Sequence, residues 1–203
     1  MARRSTCNRS RNRRALAGAL AVALATAALA GCNGATRFVH PEADLPFYQS
    51  VGVVPFTSLA QDRLGGEKVT NVFFTELLNL HFDHVIEPGQ FATAMTRTRG
   101  GTPFTNAWST EELQKLGQEA GVQGIFMGTV RDYDMTHSGR ESFPLLSLEV
   151  RLIDAATGRL VWSASETRRG GPALPFFGWT EVHTMGELTA AVCRQLLRTL
   201  PRG

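Results

Sequence analysis

Two rhythms of apolar residues run along this chain from Gln49 onward, one of period two and one of period three to four. "SVGVVPF" (Ser50–Phe56) is a short β-branched run halted by Pro55, which predicts a buried strand. After a glycine-rich loop, Val69, Val72, Phe73, Leu77 and Leu80 recur at helical spacing within Glu67–Leu80. "HVIE" predicts a second short strand, and Pro88 opens a helix to about Arg97. "RGGTPFTNAW" (Arg99–Trp108) reads as a loop, and Ser109 and Glu112 then form the S-x-x-E signature of a helix start. That helix buries Leu113 and Leu116 and stops at Gly121. "VQGIFMGTV" is apolar through its middle, the pattern of a central strand covered on both faces.

In "LLSLEVRLID", Leu146, Leu148, Val150 and Leu152 alternate with Ser147, Glu149 and Arg151, which predicts a strand with one wet face. "AATG" is a turn with Gly158 placed for a positive φ, and "RLVWSASE" returns with Leu160, Trp162 and Ala164 on one face. A last helix carries Val182, Met185, Leu188, Val192 and Leu196. The order β-α-β-α-α-β-β-β-α calls for an α/β (α+β) fold: a mixed β-sheet flanked by helices, closed by a C-terminal β-hairpin and helix.

Ahead of this domain lies a different pattern. Sixteen residues from Ala15 to Ala30 are Ala, Leu, Val, Gly and Thr, preceded by six arginines and no acid. A membrane-spanning helix needs about 20 apolar residues, so the run is short for one. A basic stretch, a short apolar core and small residues at its end describe a secretory leader. Its ending, Leu29-Ala30-Gly31-Cys32, resembles the lipobox of bacterial lipoproteins. That resemblance implies cleavage after Gly31, a diacylglycerol thioether on Cys32, and an acylated N-terminus. Several buried acyl chains anchor stably where one does not. The expected division is therefore a signal peptide over 1–31, a lipidated N-terminus and short tether over 32–48, and one α/β domain over 49–203. Asn33, not Asp, follows the cysteine, which by the same resemblance implies the outer membrane, lipid-anchored on its periplasmic side. The inner membrane is the alternative.

The leader changes how charge is read. The whole chain carries a net charge of +3, but removing six arginines leaves 15 basic residues against 18 acidic ones, a net −3. Nucleic-acid binding thereby loses its main support. Cys7 leaves with the leader and Cys32 is acylated, so Cys193, within an apolar helical pattern, remains as a small core residue. G-x-S-x-G, P-loop and H-E-x-x-H motifs are all missing from the sequence. His81 and His84 flank Asp83 without a further ligand cluster, and Asp132 and Asp134 read as solvated acids on a strand. Neither an enzyme, a cofactor nor a metal is expected.

Taken in order, "VGVVPF", the amphipathic helix, "EELQKLGQEAGVQGIFMGTVRDY" and "LSLEVRLIDAATGRLVWSASE" resemble the superfamily of periplasm-facing lipoprotein domains that includes CsgG, LpoB and the N-terminal domain of TolB. The resemblance covers about Gln49–Leu200 and implies an assembly or recruitment platform. Pore-forming members need long membrane-crossing hairpins. The insertions here, Arg97–Trp108 and Met135–Phe143, are too short and polar for that. The expected function is a non-enzymatic accessory or scaffold lipoprotein of envelope assembly or export, bound to the membrane through its N-terminal lipid and to a protein partner or further copies of itself. A small-ligand-binding lipoprotein of a transport or sensing system is the alternative. The candidate interface is "GGPALPFFGW", with Phe176, Phe177 and Trp179, followed by Phe104 and Trp108. Aromatic rings in loops bury much area at low entropy cost, whether against a partner or back over the domain's own sheet edge.

Overall fold

The computed structural model describes residues 35–80, 82–100, 108–138, 141–171 and 182–201. Within them the chain forms seven strands and four α-helices: β1 (Thr36–Val39), β2 (Ser50–Val53), β3 (Thr57–Ser58), α1 (Gly65–Leu78), β4 (His84–Val85), α2 (Pro88–Arg99), α3 (Thr110–Ala120), β5 (Gly124–Ser138), β6 (Glu141–Asp154), β7 (Leu160–Arg169) and α4 (Met185–Arg198). A single turn of 3₁₀-helix, Leu45–Phe47, leads into β2. The sheet order is β1-β7-β6-β5-β2-β4, with β3 also paired to β5. Its β1, β7, β6 and β5 portion is antiparallel, whereas β2, β3 and β4 join in parallel.

This topology places the two helix layers. The crossover from β2 to β4 and the return from β4 past β2 to β5 run in opposite directions across the sheet. Right-handed crossovers then put their helices on opposite faces. Accordingly, one core joins Val69, Phe73 and Leu77 of α1 and Leu188, Val192 and Leu196 of α4 to Phe126, Val150 and Trp162. The other joins Phe91 and Met95 of α2 and Leu113 and Leu116 of α3 to Ile125 and Ile153. The expected mixed sheet flanked by helices is therefore present.

Local chemistry accounts for the element boundaries. Glu87 accepts from the Gln90 amide at 3.1 Å, Pro88 occupies the first turn, and Gly100 at φ 59° ends α2. Ser109 and Glu112 close the capping box at 2.8 and 3.2 Å, and Gly121 at φ 68° ends α3. The helix α1 begins two residues earlier than its apolar pattern suggests, because Gly65 and Gly66 belong to its first turn. There a Cβ on Gly66 would run into the Phe56 carbonyl, so the glycine serves close packing and is not part of a loop.

Five further expectations are corrected. The tether expected over 32–48 is only partly a tether, since Thr36–Val39 form edge strand β1 on β7 and Tyr48 is buried. Its "TRFV" was masked in sequence by the prolines that follow. The segment Met135–Phe143 is not an insertion. Met135–Ser138 and Glu141–Phe143 continue the β5–β6 ladder, whose pairing runs from Gly124↔Asp154 to Ser138↔Glu141 with one irregularity at Val130/Asp132. Ser147 does not lie on a wet face but is buried, its hydroxyl 2.8 Å from that of Thr167. Finally, Leu160 does not share a face with Trp162. A bulge pairs Leu152 with Trp162 but Ile153 with Leu160, so Val161 is the extra residue. Val161 and Trp162 enter the first core while Leu160 packs against the second. Val182 likewise precedes α4 and bridges Gly171.

Candidate functional site

Of the residues singled out by sequence, Cys32, His81, Phe104, Phe176, Phe177 and Trp179 lie outside the described residues. Trp108 is described and half-buried against the second core. The Arg99 guanidinium sits 3.7 Å above its ring, and Arg99 Nε lies 3.2 Å from a Glu112 carboxylate oxygen. A cation sandwiched this way ties the end of α2 to the start of α3. Trp108 is thus held inside the domain just ahead of α3.

The base of the aromatic loop is equally well defined. Gly170 donates to the Pro144 carbonyl at 2.7 Å, and Val182 donates to Gly171 at 3.2 Å. Phe143 stacks on His183 with ring centres 5.5 Å apart, and the Arg169 guanidinium stands 5.4 Å from the same ring. The chain therefore leaves the sheet at Gly171 and re-enters at Val182, side by side, at the end where β7 finishes.

The titratable groups here are structural in character. Burial pushes the Cys193 thiol up to about 12, so at neutral pH it is protonated and a poor nucleophile. Tyr48 donates to Asp154 at 2.8 Å, and burial with this bond raises the phenol while the hydrogen bonds from Thr157 and Tyr48 hold the carboxyl low. Burial also raises Glu166, whose Oε2 is enclosed without a hydrogen-bond partner and whose other oxygen lies 3.9 Å from Arg168. Asp132 and Asp134 are both exposed. Among the described residues no group of three or more metal-ligating side chains forms, and no helix is long and apolar enough to cross a membrane.

On the face opposite α1 and α4, part of the sheet is exposed or half-buried among the described residues. Its residues are Thr36 and Phe38 of β1, Ser163, Ser165 and Thr167 of β7, and Glu149 and Arg151 of β6, as the pairing register requires. Glu149 is ion-paired to Arg131 and lies 3.8 Å from Arg151. Phe38 is 46% exposed on the outermost strand, next to exposed Arg37. The prolines at 41 and 46 give this segment the composition of a linker. The alternation in "TRFV" was the signal that could have found it.

No protein-family model matches the sequence, and neither does any curated protein sequence. Solved structures do match. The PelC dodecamer from Paraburkholderia phytofirmans aligns over 83% of this chain and 98% of its own, with TM-score 0.56 and 15% identity. Lipoprotein GNA1162 from Neisseria meningitidis aligns over 73% of this chain and 98% of its own, with TM-score 0.51 and 24% identity. The LpoB C-terminal domain from Escherichia coli aligns over 63% and 88%, with TM-score 0.47 and 16% identity. At these identities the likeness is one of fold alone: the domain shares its α+β architecture with PelC and with lipoprotein GNA1162.

Proposed function

We propose that this chain is a non-enzymatic, lipid-anchored envelope protein that serves as an accessory or scaffold factor in envelope assembly or export, working through self-association or a protein partner. The observation that carries the proposal is the juxtaposition of Leu29-Ala30-Gly31-Cys32 with a domain whose fold is shared with a lipoprotein and with a dodecameric protein. The lipid fixes the chain at a membrane, and a domain whose buried groups are committed to packing offers surfaces for assembly. In this reading Cys32 carries the acyl groups, Asn33 directs the protein to the outer membrane, and the loop with Phe176, Phe177 and Trp179 supplies apolar area to the partner.

The test has three readouts on one sample. The intact mass of the membrane-extracted protein reports acylation at Cys32. Density-gradient fractionation reports the membrane. Native mass spectrometry or light scattering in detergent reports the assembly. A Cys32→Ser chain that still matures to the same mass and sediments with membranes overturns the anchor, and a strictly monomeric species that captures no partner from crosslinked envelopes overturns the scaffold reading.

A further inference from the structure

We propose that residues 35–47, β1 included, form a releasable strap rooted at Tyr48. Zipped onto β7, the strap holds the domain close to its membrane; unzipped, it lets the domain stand away. The inference rests on the lipid anchor proposed above and goes beyond it, because an anchor alone leaves the reach of the domain open.

Burial comes first. Residues 35–47 include no buried residue, and three of the four in β1 are exposed. The strand β2, of the same length, buries three of its four. Ala35, Val39, Ala43 and Leu45 are the strap's half-buried apolar contacts with the first core. Tyr48 is the first buried residue after them, and its hydroxyl donates to Asp154 at 2.8 Å. The Gln49 amide donates to the Gln123 side chain at 2.8 Å, and from Ser50 onward β2 runs between β4 and β5. The body of the domain therefore takes hold of the chain at Tyr48.

Hydrogen bonding is the second observation. Among the described residues β1 pairs with β7 alone, from Thr36↔Ser165 to Val39↔Trp162, and the His40 amide donates to the Val161 carbonyl at 2.8 Å. Past that point the strap's amides bond locally: Ala43 donates to His40, and Phe47 to Asp44. Pro41 and Pro46 have no amide hydrogen to offer. Arg159 lies 2.8 Å from the His40 ring and 3.5 Å from Glu42, an exposed pair of the kind that contributes little. An element held by a short ladder and few apolar contacts opens well below the cost of global unfolding.

Chain length is the third. Four peptide units separate Cys32 from Thr36, a span of at most about 14 Å. Sixteen separate Cys32 from Tyr48, at most about 58 Å. Treated as flexible chains, the two have mean spans of about 11 and 22 Å. Release of the strap thus doubles the mean distance over which the domain is tethered.

The test uses the full acylated chain in phosphatidylcholine bilayers, its acyl group confirmed by intact mass. In hydrogen exchange the His40 amide should exchange about a hundredfold faster, or more, than the Val150 amide of β6. Oxidised T36C/S165C ties β1 to β7 at a directly opposed pair and should remove most of that difference. Cys193 is buried and Cys32 acylated, so neither competes for the new bond. F38P opens the strap from the other direction. The Phe38 side chain is 46% exposed, and its amide faces β7 as the His40 amide does two residues on. F38P should melt within a few degrees of the parent, while neutron reflectometry on a supported bilayer should show its protein layer displaced outward by about 10 Å. Equal protection of His40 and Val150, a collapse of the F38P melt, or an F38P layer at the parent's distance overturns the inference and leaves the anchor intact. A chain without acyl mass overturns the anchor instead, and the exchange measurement still decides whether the strap opens.

Discussion

At the scale of single residues, two buried polar atoms without partners set the clearest expectations. Trp162 is fully buried, edge-on to Phe126 with ring centres 6.3 Å apart, and its indole N–H has no hydrogen-bond partner. Trp162→Ala should lower stability by about 3–5 kcal/mol in thermal or chemical unfolding. Trp162→Phe should cost much less, since it removes an unpaired donor together with the lost volume. Glu166 makes the complementary case. Burial raises its carboxyl above the ordinary carboxylate range, so the ionised form is disfavoured in the folded state. The stability tied to the neutral form is full below the unfolded carboxyl range, near pH ~4.3, and is lost as pH rises through the higher folded value. Because Arg168 stands near it, the effect is modest. Glu166→Gln should raise the melting temperature at pH 7 by roughly 3 °C, corresponding to about 1 kcal/mol, and the gap should close toward pH 4.

At the scale of elements, the bulge in β7 decides which side chains face which core, and deletions can read it. Removing Val161 leaves Leu160 and Trp162 in adjacent positions on opposite faces, where the structure already has them. The variant should stay folded and lose only the burial of one valine, together with the bond from the His40 amide to the Val161 carbonyl. Removing Ser163 instead turns Trp162 away from its core, and the protein should fail to give a cooperative melt. The same bulge shows what sequence could and could not reveal. Periodicity located β6, the helix carrying Val69, Phe73 and Leu77, and the capping box at Ser109, because each rests on contacts within a few residues. It misassigned Leu160, since a bulge is a property of two strands together. It missed β1, whose pairing partner β7 lies more than a hundred residues later. It ended β5 near Asp134, short of Ser138, because "MTHS" lacks an apolar alternation. The candidate surface was less legible for the same reason: Phe38 comes to lie opposite Ser163 only through that long-range pairing.

At the scale of the whole molecule, folding and assembly draw on apolar surface in different ways, and the aromatic loop separates them. Core residues gain their free energy when the chain folds, whereas an exposed apolar patch gains it when a partner arrives. The base of the loop is secured without its rings: Gly170 bonds to Pro144, Val182 bonds to Gly171, and Phe143 stacks on His183. The Trp162 core is filled from α1 and α4. Replacing Phe176, Phe177 and Trp179 together with Ser should therefore leave the melting temperature within a few degrees of the parent while abolishing self-association or partner crosslinking, read by light scattering in detergent and by envelope crosslinking. A collapse of the melting temperature would assign the three rings to the domain's own sheet edge, as a cap. A variant both stable and fully competent in assembly would make the loop a connector, and the interface would then have to be sought on the open sheet face around Ser163, Ser165 and Phe38. The three outcomes cannot coincide, because each puts the same buried apolar area into a different equilibrium.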